Sequence, residues 1–140
     1  MAYSISWYDN EPIVLLKFHG KVTGRQITTA LDEIWSDARF GAISHQIWDC
    51  HRITELDVDW PDLQALKLMA CENHAAASRR AGKVALVASR EVVYACCKAI
   101  IAMTRNDGLK KKVVRSVHEA RDWLRLETPR SPSENRPVVQ

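Results

Sequence analysis

The sequence has no glycine-rich phosphate loop and no Gly-x-Ser-x-Gly elbow. That removes the usual signatures of nucleotide binding and of an exposed catalytic serine. No apolar run reaches the roughly 18 residues needed to cross a bilayer, because Lys98 interrupts the longest candidate. The start, Met1-Ala2-Tyr3-Ser4, lacks a basic region followed by an apolar segment, so no signal peptide is expected and the chain reads as cytoplasmic. Among the four cysteines, Cys50, Cys71, Cys96 and Cys97, there is no Cys-x-x-Cys pair. They read as reduced, mostly buried thiols, not as a disulfide framework. The net charge is only +3 and Lys and Arg are spread along the chain, which argues against the concentrated basic face of a nucleic-acid binder.

What is present suits one globular domain. A chain of 140 residues is too short for two ordinary domains, and 46% hydrophobic content supplies a normal core without staples. Tyr3 to Trp7 alternates apolar and polar, as a half-exposed strand does. Asp9-Asn10-Glu11-Pro12 is rich in turn formers, and Ile13 to Phe18 reads as a second strand, antiparallel to the first and ended by Gly20. Thr23-Gly24-Arg25-Gln26 is a capping box, and Ile27, Leu31, Ile34, Trp35 and Ala38 recur at helical spacing over 24–37. His45 to Asp49 is a short strand and 51–58 a loop. Asp59, with Pro61 in the first turn, starts a second helix extending to about Arg79.

The chain is organised around residues 82–103. Val84 to Ala88 is continuously apolar, as in a strand covered on both faces. Ser89 is the expected cap of a third helix running to about Arg105. Asn106-Asp107-Gly108 is a turn, Lys112 to Arg115 a last short strand, and Ser116-Val117-His118-Glu119 a second capping box before a helix with Ala120, Trp123 and Leu124 inside. From 127 to 140 the chain has nothing to bury and reads as a disordered tail. The order β-β-α-β-α-β-α-β-α predicts an α/β domain with a mixed, mostly parallel sheet and flanking helices.

With that order in hand, residues 3–126 resemble the STAS-like domains related to the anti-sigma-factor antagonist SpoIIAA, including the bacterial STAS/SEC14-like group. The resemblance lies in Phe18-His19-Gly20-Lys21-Val22-Thr23 leading into the first helix, and in Ile47-Trp48-Asp49. It lies also in Lys83 to Ala88 before a small-residue helix, and in the closing Val117-His118-Glu119-Ala120-Arg121-Asp122-Trp123-Leu124. It implies a non-enzymatic module, without cofactor, that binds a protein partner or a small apolar ligand. In antagonists of this kind a serine at the start of the second helix is phosphorylated. Here that helix begins Asp57-Val58-Asp59-Trp60-Pro61, and the nearest hydroxyl is Thr54, so the phosphoswitch is not carried over.

Two candidate sites follow. Ligand sites of open α/β sheets lie beyond the carboxyl ends of parallel strands, which here carry Asp49, His51 and Arg52, and then Ser89 and Arg90. This is the candidate rim for a ligand or partner. His45, Asp49 and His51 share strand parity but no second ligand pair stands out, so no metal site is expected. Cys50 beside His51 would need a bend to become a nucleophile–base pair, since strand neighbours face opposite ways. The run Lys110-Lys111-Lys112 reads as a solvated loop. On the third helix, Val92, Cys96, Ala99, Ile100 and Met103 are expected to face the core. Tyr94, Cys97 and Ile101, bordered by Lys98 and Arg105, form a second stripe, expected as a homodimer interface or the contact for a partner or apolar ligand.

Overall fold

The computed structural model describes residues 2–43, 45–72, 82–104 and 109–125. Strand β1 (Tyr3–Trp7) pairs antiparallel with β2 (Ile13–Thr23), from Tyr3 opposite Phe18 to Trp7 opposite Val14. The strands β3 (His45–Asp57), β4 (Lys83–Val87) and β5 (Lys110–Val114) follow β2 in parallel, giving the sheet order β1-β2-β3-β4-β5. Helices α1 (Gly24–Ser36), α2 (Trp60–Glu72) and α3 (Glu91–Met103) are the crossovers, and α4 (Val117–Leu124) follows the last strand. Right-handed crossovers that all step the same way stack their helices on one face. The side chains agree. Val14, Leu16, Phe18, Trp48, Val84, Leu86 and Val113 pack with α1, α2 and α3, while Ile13, Leu15, Ile47, Ala85, Val87 and Val114 pack with Ala120 and Leu124 of α4. Strand β4 is apolar from Val84 to Val87 because both its faces are covered.

Helix starts follow the expected chemistry. Thr23 accepts from the Gln26 N–H (3.3 Å) while the Gln26 side chain accepts from the Thr23 N–H (2.8 Å). Asp59 and Asp62 do the same for each other at 3.0 Å. Ser116 caps α4 through the Glu119 N–H (3.1 Å), but the Glu119 carboxylate turns to the N–H of Arg115, so the second box is half formed. Gly24 lies so close to Asp62 that a Cβ there would stand 2.5 Å from the Asp62 Cβ.

Five expectations are corrected. Gly20 does not end β2; it takes φ 70°, a conformation open to glycine, and the strand continues to Thr23. Residues 51–57 are strand, not loop. Their core-facing residues Trp48, Cys50, Ile53 and Leu56 are spaced by two, three and three, because two register shifts interrupt the alternation. Such spacing hides a strand from any search for period two. Ser89 is not the cap of α3. Arg90 occupies that position and makes no side-chain cap bond. Lys110 to Lys112 belong to β5, where an edge strand accommodates lysine.

The face of α3 is the fifth correction. Cys97, expected on the surface stripe, is 3% exposed, while Val92, expected in the core, is 69% exposed. The buried line is Val93, Cys97, Ile100 and Thr104, with the Thr104 hydroxyl donating to the Ile100 carbonyl at 2.8 Å. In a helix this apolar, advancing the stripe by one residue turns it about 100° and still leaves an acceptable apolar face. The expected ends of the second and third helices at Arg79 and Arg105, the turn at 106–108 and the tail fall outside the described residues.

Candidate functional site

Strand β3 outruns β4. The pairing with β4 stops at Asp49–Val87, yet β3 continues to Asp57 with β2 as its ladder partner. The result is a two-stranded arm beyond the carboxyl edge of β4. Its pairs are Lys17–Asp49, then His19–Arg52 and Gly20–Ile53, then Lys21–Glu55, so β3 carries one extra residue in each interval. These are β-bulges, which bend a strand and re-aim side chains. The first sets consecutive His51 and Arg52 both in solvent. Asp49, just below, is 2% exposed. Its Oδ1 accepts from the His51 N–H at 3.2 Å and meets the His51 Nδ1 at 2.5 Å. With Nδ1 given to the carboxylate, the Nε2 edge of the imidazole is the one left for an incoming group.

Lys17, His19 and Lys21 are exposed along β2 beside these groups. Ending the strand at Gly20 leaves them out, although the alternation Leu16-Lys17-Phe18-His19-Gly20-Lys21-Val22 carries the strand past Gly20 and reaches them. Lys21 and Glu55 approach to 3.7 Å across the arm, and so exposed a pair contributes little stability. Ser89 and Arg90 follow β4, two and three residues beyond the Asp49–Val87 pair. Both are exposed. The Ser89 carbonyl accepts from Arg115 (3.3 Å), which also pairs with Glu91 (3.0 Å) and stacks over the Tyr94 ring at 3.8 Å. The predicted rim therefore lies along the edges of two neighbouring strands. Because strand order never reverses, there is no switch-point crevice, and the rim is an open surface.

Cys50 and Cys96 are not reactive thiols. Cys50 is buried on the helix face of the sheet, away from His51, and its thiol reaches the Trp48 carbonyl at 3.7 Å. The neighbouring Cys97 thiol, followed by burial, pushes the Cys50 thiol well above its ordinary range. Burial, then Cys97, pushes Cys96 up to about 11. Protonated thiols are poor nucleophiles. Among the described residues, no three His, Cys, Asp or Glu side chains converge as a metal site would require.

Of the predicted interface residues, Tyr94, Lys98 and Ile101 do come together. They line a surface groove of about 310 Å3 with Lys111, Lys112 and Val113 of β5. The Tyr94 ring is flanked by Arg115 and, at 5.6 Å, by the Lys98 Nζ. Lys111 Nζ donates to the Thr104 carbonyl at 3.0 Å. Cys97 is in the core beneath, and Arg105 lies outside the described residues. Between the sheet and its three helices, a void lined by Trp35, Gln46, Trp48, Leu66, Val84 and Thr104 measures about 10 Å3. At the tip of the arm, Trp60 in the first turn of α2 is 64% exposed. No described helix is long and apolar enough to cross a membrane.

Neither a family model nor a curated protein matches the sequence. Solved structures do match. The anti-sigma factor antagonist SpoIIAA in its unphosphorylated form is 17% identical with a TM-score of 0.56 over 89% of this chain and 98% of that one. An uncharacterised protein of the DUF3478 family from Shewanella loihica PV-4, with a SpoIIAA-like fold, is 17% identical with a TM-score of 0.54 over 88% and 92%. The phosphorylated form of SpoIIAA, the Bacillus cell fate determinant, is 13% identical with a TM-score of 0.53 over 87% and 98%. The chain therefore carries a SpoIIAA-like, STAS-type fold, a mixed α/β domain with a five-stranded sheet.

Proposed function

We propose that residues 1–126 form a non-enzymatic, protein-binding regulatory module of the SpoIIAA type, which meets its partner with the arm and the carboxyl edge of the sheet. One observation carries the reading: an exposed tryptophan, Trp60, stands at the tip of an arm whose bulge holds His51 and Arg52 side by side in solvent. Tryptophan and arginine are the side chains that most often dominate binding energy at protein interfaces. The Cys50 thiol, buried, protonated and turned away from His51, favours a binding surface over a catalytic one. The first turn of α2 holds the paired carboxylates Asp59 and Asp62 and no hydroxyl, so the partner is released by some means other than phosphorylation at that turn. His51, Arg52, Ser89 and Arg90 are the proposed contact rim, and Asp49, expected with them, is buried and holds the His51 ring from below.

The homodimer expected through α3 is the less favoured assembly. A symmetric contact there would set Lys98, Lys111 and Lys112 near their own images. The alternative of an apolar-ligand carrier needs a cavity of several hundred Å3, and the void of about 10 Å3 between helices and sheet has room for about one water.

Affinity capture from the native host tests the proposal, with the bound proteins identified by mass spectrometry. A partner retained by the native chain should be lost with both Trp60→Ala and Arg52→Glu. A partner that ignores both changes would overturn the arm as the contact, and an added mass on the freshly purified protein in native mass spectrometry would favour the ligand carrier.

A further inference from the structure

We propose that the groove between α3 and β5 seats an acidic segment of a partner protein, one that alternates carboxylates with apolar side chains. The proposal shares with the preceding one only the premise that the partner is a protein, and it uses a different surface.

The groove has an apolar floor and a cationic border. Tyr94, Ile101 and Val113 supply the floor, and Lys98, Lys111 and Lys112 border it. Lys110 is exposed at the start of the same strand, and Arg115 lies over Tyr94 just past its end. Between them α3 and β5 carry one carboxylate, Glu91, and it already pairs with Arg115 at 3.0 Å. The formal charge of the whole chain is only +3. This face therefore carries most of the molecule's net positive charge, the rest being close to neutral, and such a surface steers and selects an oppositely charged partner.

The layout decides among anionic occupants. A single phosphate is held by donors that converge on one point. Here Lys98 comes from a helix and Lys112 from a strand, with an apolar strip in the groove they share. A chain segment fits that layout, pressing apolar side chains on Ile101 and Val113 and reaching Lys98 and Lys112 with its carboxylates. A second copy of this protein would bring lysines to lysines. The Tyr94 ring, held between Lys98 and Arg115, adds a rigid amphipathic contact of the kind interfaces favour.

The test is fluorescence anisotropy on the full chain with a fluorescein-labelled decapeptide alternating Glu with Leu and Val. One control replaces every Glu by Lys, and another replaces every Leu and Val by Ser. The alternating peptide should bind at least about tenfold more tightly than either control, and Lys98→Glu with Lys112→Glu should weaken it about tenfold or more. Both lysines are exposed, so the double variant should keep the native circular dichroism. Arg52→Glu, on the arm, should leave peptide binding unchanged, which separates a failure here from a failure of the arm as a contact. Equal binding of the serine control, indifference to the double reversal, or an equal loss with Arg52→Glu would overturn the proposal. So would displacement of the peptide by phosphatidylglycerol vesicles, which would assign the groove to a membrane surface, or a dimer in light scattering that the double reversal abolishes.

Discussion

Replacing Gly24 by alanine gives a sign that separates packing from propensity. Gly24 opens α1, and in a helix alanine is ordinarily better than glycine by up to about 1 kcal/mol. Propensity alone therefore makes Gly24→Ala stabilising. The structure says otherwise. A Cβ at Gly24 would stand 2.5 Å from the Asp62 Cβ and nearer still to its carboxylate carbon, so α1 and α2 would have to separate or Asp62 would have to leave its place. Asp62 cannot leave without cost, because it is half of the reciprocal cap with Asp59. Overpacking of this kind costs about 1–3 kcal/mol and a lost cap about 1 kcal/mol, so the net expectation is a destabilisation of about 1–2 kcal/mol once the propensity gain is subtracted. Urea denaturation followed by circular dichroism would read this as a lower midpoint at unchanged slope. Asp62→Gly removes all three atoms that the new methyl would meet. The double variant should therefore be less destabilised than the sum of the two single ones by about 1–2 kcal/mol. A Gly24→Ala protein more stable than the native one, or strict additivity, would refute the close approach of the two helix starts.

Two further outcomes follow from side-chain placement. Cys97→Asp puts a carboxylate into the core and should unfold the protein or cost several kcal/mol, whereas Val92→Asp should change stability by about 0.5 kcal/mol or less; thermal unfolding of the pair would show the reverse ranking if Val92 faced the core and Cys97 the surface. His45 supplies the pH dependence. Its Nδ1 accepts from the Lys83 N–H at 3.2 Å, and burial, followed by the Lys83 charge, holds its pKa below 6.5. The fold thus favours the neutral imidazole. Stability from this group is complete above 6.5 and is lost as the pH falls below that value toward the depressed one, because the unfolded chain takes the proton first. His45→Gln should flatten the slope of stability as the pH falls below 6.5, and an unchanged slope would count against the buried acceptor.

How much was legible depended on whether a single physical rule governed each stretch. The Thr23–Gln26 box, the Asp59 start and the apolar run at β4 were readable because capping and two-sided burial leave one acceptable pattern. So was the sheet, since alternating elements admit few topologies. The arm was not, because two bulges broke the alternation at Cys50, Ile53 and Leu56. Helix α3 failed for the opposite reason: it has too many apolar residues, and nothing local chooses between Val92 and Val93 as the inward one. Asp49, His51 and Arg52 do stand at or beyond the end of the β3–β4 ladder, where the order of elements places them. That a bulge would set His51 beside Arg52, and bond it to Asp49, depends on β2 as a partner. No local pattern around residue 50 reports that.

The bulges also change how this chain would align with another. Each adds one residue to β3 opposite an interval of β2 that has one fewer. A chain lacking a residue at 50–51, or at Thr54, could keep every other side chain of the arm on the same face, in a straight ladder. A single-residue gap at either place would mark a bulge lost and not a strand lost, and the first of the two would part His51 from Arg52.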